Sequence, residues 1–219
     1  MVNKKIIFFS LFMMSWCLGG EKAFAGPASF IQVTNTPIQP RYFHNYSTSQ
    51  IESMRHTRFH NNMTHNPGIT VAEHELKTDY QLGGIQRGGG QFHVWAESVH
   101  VDFSYNQMDV YVSSQYPEGS CPYQVILWHE NQHVAINTRT LAQYKALIES
   151  ALKRSRNIAT KSHPITARSM DEGGKIIAAR INQIVTPLYS RFKMVVLREN
   201  AKIDTIANYR RTQAKCKHW

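Results

Sequence analysis

The sequence lacks three patterns that would point to a membrane, a nucleotide or a nucleic acid. After residue 25 no apolar stretch is long enough to cross a bilayer, so we expect no stable membrane insertion. The glycines at 83–84 and 88–90 lack the spacing and the lysine of a phosphate-binding loop, which excludes that function. Lysines and arginines are scattered and not interleaved with aromatic residues, so we expect no nucleic-acid partner.

Acidic residues are also scarce. The chain of 219 residues carries 25 Lys and Arg against 15 Asp and Glu, which gives a formal net charge of +10 at neutral pH. A basic surface can bind nucleic acid, anionic lipid or cell-wall polymers. A solvated cationic surface explains the charge more simply, so charge by itself assigns no partner.

The first 25 residues have the organisation of a secretory signal peptide. Lys4 and Lys5 form a positive start, residues 6–18 are an apolar run, and residues 23–25 are a small-x-small cleavage site. We expect cleavage after Ala25 and a periplasmic or secreted protein. The remaining residues, 26–219, are enough for a single domain with a sizeable core.

The chain has three cysteines. Cys17 lies in the predicted signal peptide, where the bulky Trp16 before it argues against a lipoprotein cleavage site. Cys121 and Cys216 remain, and a pair of cysteines in an oxidising compartment predicts a disulfide. The bond would tie the region before the central motif to the C-terminus; two free buried thiols are the alternative.

The central motif is H-E-x-x-H, formed by His129, Glu130 and His133. Residues four apart lie on one face of a helix, so the two imidazoles can bind one metal ion. Glu130 is placed to reach a water at that metal as a general base without being a ligand. We expect Zn²⁺, because imidazole suits zinc and a catalytic zinc keeps one position open. The alternative is a helix whose two His and one Glu only form hydrogen bonds in the core or lie on a solvated face.

This motif and its uncharged, largely apolar frame resemble the zincin metallopeptidases. The chain differs from metzincins, since Arg139 and Ile136 stand where those enzymes have a third His and a Gly. It looks more like secreted bacterial zinc-dependent proteases of an uncharacterised family, over residues 105–219. The resemblance implies a peptide or protein substrate. It also implies a substrate-binding edge strand, for which residues 108–114 are the candidate; an ordinary core hairpin is the alternative.

A third metal ligand has to come from outside the motif, since a catalytic zinc site takes three protein ligands and a water. The resemblance to gluzincins implies Glu172, at the start of the second predicted long helix. The Asn that usually precedes this Glu is replaced by Asp171. The alternative role for Glu172 is a negative charge that favours its helix dipole.

Asp204 is the second candidate ligand. Residues 204–209 look like the closing motif of the secreted family, with Tyr209 at the position of a His, and have a likeness to aspzincins, which bind zinc through an Asp and place a Tyr nearby. Asp171 and His163 are further candidates. Tyr209 or a neighbouring His is a candidate donor to the oxyanion.

Hydrophobic periodicity predicts an α+β fold. Residues 92–103 and 109–113 alternate as strands, with residues 104–108 as a hairpin loop between them. One long helix is predicted from Cys121–Pro122 to about Lys153 and a second from about Thr166. We expect a small twisted antiparallel sheet packed on the long H-E-x-x-H helix and the second long C-terminal helix.

Together these features predict a secreted or periplasmic zinc metallopeptidase with Glu130 as catalytic base and His129, His133 and Glu172 as metal ligands. A zinc-dependent cell-wall amidase is one alternative. A non-catalytic secreted protein with a vestigial site is the other.

Overall fold

The computed structural model describes residues 4–5, 30–54 and 67–219. The predicted signal peptide and its cleavage site lie outside these residues, apart from the backbone of Lys4–Lys5. None of the helices in the described part of the chain is both long and apolar enough to span a membrane.

The strands belong to one sheet whose neighbouring strands are mostly parallel. They are β1 (Lys4–Lys5), β2 (Phe30–Thr34), β3 (Arg41–Phe43), β4 (Gly68–Gln86), β5 (Phe92–Val112) and β6 (Ile165–Ala167). The order is β1-β4-β5-β2, and β3 and β6 also pair with β5. β1 pairs with β4, and β2 and β3 pair with β5, all in parallel, whereas β6 pairs with β5 in antiparallel fashion.

The prediction of a small antiparallel sheet is therefore wrong. Its error lies in missing the strands of the N-terminal arm, which join the sheet in parallel. β2 and β3 come from the N-terminal arm and align with a strand far along the chain, with Val33 opposite Val101 and Tyr42 opposite Val110. Alternation within a strand shows which face is buried but not which strand lies beside it.

The predicted hairpin loop at residues 104–108 is also absent, because β5 is one continuous strand of 21 residues. The polar residues in this stretch favoured a loop in the sequence. In the structure Tyr105 and Met108 are buried, and the Ser104 hydroxyl accepts a hydrogen bond from the backbone N–H of Thr36. Burial of the two apolar side chains outweighs local turn propensity.

Four helices complete the described chain: α1 (Thr48–Ser53), α2 (Cys121–Arg154), α3 (Met170–Ile203) and α4 (Ile206–Gln213). α2 and α3 are the two long helices that periodicity predicts, and Pro187 lies inside α3. Ser47 begins α1 with a capping box, in which its side chain accepts from Gln50 N–H and the Gln50 side chain accepts from Ser47 N–H.

The chain divides into two compact units. The first consists of the described parts of Met1–Thr34, Leu76–Asp102 and Lys145–Leu188. In it α3 approaches β5 closely, because a Cβ placed on Gly173 would lie 2.6 Å from a methyl carbon of Val94. The prediction of a single domain over residues 26–219 stays a prediction.

The second unit consists of the described parts of Asn35–Glu75, Phe103–Tyr144 and Tyr189–Trp219. Its core is an aromatic cluster around Phe192 of α3, whose ring lies edge-on to Phe103 at 4.8 Å between centroids. His74, Tyr105 and Tyr144 also contact the Phe192 ring. This cluster fixes the C-terminal half of α3 against β4, β5 and α2.

An ion pair between the exposed Arg41 and the buried Asp109 holds β3 in the second unit. The Arg41 guanidinium donates to both carboxylate oxygens of Asp109, at 2.7 and 2.8 Å. Burial would raise the pKa of Asp109, but these hydrogen bonds hold it below its usual range. The next residue, Tyr42, donates its hydroxyl to Asn131 of α2 at 2.8 Å, so β3 is tied to the motif helix.

Cys121 and Cys216 form the predicted disulfide, with a Cα–Cα distance of 5.8 Å. The bond ties the first residue of α2 to the segment after α4. For a loop of this length the chain-entropy model gives a stabilisation of roughly 4–5 kcal/mol.

The aromatic cluster leads to a test of the second unit's core. Phe192 is fully buried, whereas Met194, two residues further along α3, is 70% exposed. We expect Phe192→Ala to lower the free energy of unfolding by about 3–5 kcal/mol. The control Met194→Ala should change it by less than about 0.5 kcal/mol. Urea unfolding followed by circular dichroism measures both, and equal losses would contradict this description of the core.

Candidate metal centre

Helix α2 presents the motif residues as the sequence predicts. His129 and His133 lie one turn apart, with ring centroids 5.0 Å from each other. Both are buried, and so is Glu130, which is only 2% exposed. Charged side chains are rarely so deeply buried without a partner, so this cluster needs a chemical explanation.

The third member of the cluster is Asp204. It follows Ile203, the last residue of α3, and precedes Thr205, whose side chain caps α4. The break between the two helices turns the Asp204 carboxylate towards α2. Its Oδ1 lies 3.2 Å from Nε2 of His129 and 3.1 Å from Nε2 of His133. We call His129, His133 and Asp204 the His-His-Asp group.

The His-His-Asp group fits a metal ion. One ligand atom from each residue lies within 4.8 Å of the others. Two imidazole nitrogens and one carboxylate oxygen are a donor set that suits zinc, and three protein ligands leave a position open for water. Nδ1 of His129 is buried and has no hydrogen-bond partner among the described residues. No hydrogen bond at this nitrogen therefore fixes the orientation of the His129 ring.

Electrostatics in the group favour a cation. Burial would raise the pKa of Asp204, but the hydrogen bonds to both histidines hold it well below its usual range. Burial would lower the pKa of His133, yet its hydrogen bond to Asp204 and the charges of Glu130 and Asp204 raise it to about 9. Without a metal, a proton therefore remains between His133 and Asp204 at neutral pH.

Two further side chains contact the His-His-Asp group. The Tyr209 hydroxyl donates to Oδ1 of Asp204 at 2.9 Å, and the Tyr209 ring lies 4.8 Å from the His129 ring. Oδ1 of Asn200 lies 2.6 Å from Nδ1 of His133, on the side of the ring away from Asp204.

Strand β4 positions Glu130. The Thr70 hydroxyl lies 2.9 Å from Oε2 of Glu130 and 3.1 Å from its backbone oxygen. Gly68 permits this approach, because a Cβ there would lie 2.6 Å from Cγ2 of Ile126 and 2.9 Å from Oε1 of Glu130. Burial raises the pKa of Glu130 by more than the nearby histidines and Thr70 lower it.

Glu172 is not in the His-His-Asp group. Its carboxylate accepts from the backbone N–H of Arg168 at 2.6 Å, and its own N–H donates to the Ser169 hydroxyl at 3.1 Å. These contacts are those of an acidic residue in the first turn of a helix, which is the alternative role for Glu172. Asp171 pairs with Lys175, and the His163 ring contacts Ser162. Neither is among the residues whose ligand atoms converge in the described part of the chain.

Residues 108–114 are not an open edge strand. Residues 108–112 are the end of β5, residues 113–114 follow it, and β3 pairs in parallel with Asp109, Val110 and Tyr111. The main-chain groups that face β3 are therefore already used in the sheet.

Some residues around the site carry no signal in the sequence. Thr70 and Gly68 lie about sixty residues before the motif, and Asn200 lies near the end of α3. The signal for Asp204 was present, since Thr205 directly after it is an N-cap residue that marks a helix break. Comparisons with protein-family models, curated proteins and solved structures find no match to this chain.

Because His133 holds a proton in the metal-free site, zinc has to displace it. We expect the apparent zinc association constant to rise about tenfold per pH unit from about pH 6 to 8 and to level off above the His133 pKa of about 9. Competition with a chromogenic chelator at several pH values measures this dependence. A constant affinity over that range would contradict the proton held at His133.

Two single substitutions decide which carboxylate is the third ligand. Asp204→Ala removes one of three donors, so we expect zinc affinity to fall by at least about 100-fold. Glu172→Ala serves as the matched control and should leave the affinity unchanged. The same chelator competition measures both variants. The reverse ranking would return the third ligand to Glu172.

Proposed function

We propose that this chain is a zinc-dependent metallopeptidase that hydrolyses peptide bonds in peptide or protein substrates. The observation that carries the proposal is the convergence of the His-His-Asp group on one point, next to the buried carboxylate of Glu130 in the same helix. A structural zinc site usually takes four protein ligands, whereas three with an adjacent carboxylate are typical of a hydrolytic centre.

Zinc bound by the His-His-Asp group would supply Lewis acidity and make a nearby water easier to deprotonate. Glu130 would take the proton from the attacking water and pass it to the leaving amine. Its raised pKa suits this role, because a carboxyl group whose pKa approaches the working pH both accepts and returns a proton readily.

Neighbouring residues would hold the base and stabilise charge. The Thr70 hydroxyl contacts Oε2 of Glu130 and limits rotation of the carboxylate. The Tyr209 hydroxyl, next to Asp204, is the donor that we propose for the substrate oxygen as it gains negative charge.

A secreted or periplasmic location is part of the proposal. The disulfide between Cys121 and Cys216 is compatible with an extracellular location, where such bonds persist. A zinc-dependent amidase acting on cell-wall polymers is the second candidate, since the net positive charge of the chain would help it bind anionic polymers. Digestion of casein and of purified peptidoglycan by the zinc-loaded protein separates the two, since only a peptidase cleaves casein.

The role of Glu130 has a direct test. We expect Glu130→Gln to lower the rate of casein hydrolysis by about 10²–10⁴-fold, because the base is lost while all three metal ligands remain. Zinc affinity should stay close to that of the unaltered chain. Glu149→Gln is the matched control, since Glu149 lies on the surface of the same helix and pairs with Lys153.

Two results would contradict this mechanism. Unchanged activity of Glu130→Gln would remove Glu130 as the base. Zinc binding without hydrolysis of casein or peptidoglycan by the unaltered chain would favour the third possibility, a binding protein with a vestigial site.

A further inference from the structure

The side-chain amide of Asn200 has a fixed orientation. Its Nδ2 lies 2.9 Å from the backbone oxygen of Val196, one turn earlier in α3, and 3.1 Å from Oδ1 of the buried Asn137 in α2. A backbone carbonyl can only accept a hydrogen bond, so the atom that faces it must be the NH₂ group. The Asn200 carbonyl oxygen therefore faces the other way.

That oxygen faces Nδ1 of His133 at 2.6 Å. An amide oxygen can only accept, so Nδ1 of His133 must carry the proton. In a neutral ring the lone pair is then on Nε2, the nitrogen that lies 3.1 Å from Oδ1 of Asp204. The lone pairs of Nε2 and Oδ1 would repel each other at this distance unless a proton or a metal ion lay between the two atoms.

The other histidine of the group has no such partner. Nδ1 of His129 is buried without a hydrogen bond in the part of the chain that the structure describes. Of the two imidazoles, only that of His133 has its proton position set by a side chain of α3. The two ligands are thus held by different means, although they occupy equivalent positions in the motif.

We propose that Asn200 is a positioning residue that fixes His133 with its proton on Nδ1, so that Nε2 binds the metal, and that it thereby sets the metal affinity of the site. The inference rests on the metal site of the proposed function but not on the hydrolytic reaction. Asn200 acts through His133 and is not itself a ligand. Partners of this kind orient the ring and raise its basicity as a ligand.

Three variants test this role. Asn200→Ala removes the acceptor, and we expect zinc affinity to fall by about 10–100-fold. Asn200→Asp keeps an acceptor for the His133 N–H but loses the two donated hydrogen bonds, so affinity should stay near that of the unaltered chain or rise while thermal stability of the metal-free protein falls. Asn182→Ala, an exposed asparagine in the same helix, is the control and should change neither.

The affinities are measured by chelator competition on the full chain, and folding of each variant by circular dichroism. A purely structural role predicts that Asn200→Ala and Asn200→Asp lose affinity together with stability. That result, or an unchanged affinity in Asn200→Ala, would overturn the proposal. Recovery of affinity in Asn200→Asp alone supports it.

A second measurement does not depend on the variants folding. In the zinc-loaded, unaltered protein, ¹⁵N NMR of the histidine rings should show the His133 proton on Nδ1 and the metal on Nε2. Metal on Nδ1 would overturn the proposal, and so would failure of the unaltered chain to bind zinc. Zinc binding with this proton position but without hydrolysis would support the role of Asn200. It would count against the proposed hydrolytic function alone.

Discussion

One carboxylate oxygen facing two imidazole nitrogens is the contact on which the candidate site depends. Three electronegative atoms at this spacing repel each other unless a proton or a metal ion lies among them. α2 supplies both nitrogens, and the break between α3 and α4 supplies the oxygen of Asp204. The disulfide joins the start of α2 to the segment after α4, and so links the two parts of the chain that carry this contact.

The sequence predicts the parts of the structure that depend on local spacing. The two long helices follow from apolar residues at three- and four-residue steps, and the helix of the motif places His129 and His133 on one face. The disulfide follows from cysteine count and compartment, since Cys121 and Cys216 are the pair that remains after the predicted signal peptide. Each of these predictions needs only the spacing of residues within one helix or the number of cysteines.

The parts that the sequence left undecided or did not predict depend on contacts between distant residues. Asp204 meets His133 across 71 positions, and Thr70 meets Glu130 across 60, distances at which spacing carries no information. Glu172 had the expected position for a gluzincin ligand, but the same position suits a carboxylate in the first turn of α3 equally well. The parallel pairing of β2 and β3 with β5 is hidden for the same reason, because alternation does not identify the neighbouring strand.

The most direct test of the site is anomalous X-ray diffraction at the zinc absorption edge, from crystals of the full chain grown with zinc. We expect one ion, about 2.0–2.2 Å from Nε2 of His129, Nε2 of His133 and a carboxylate oxygen of Asp204. An ion held by other residues, or no anomalous peak near these three atoms, would contradict the assignment of the His-His-Asp group as a metal site.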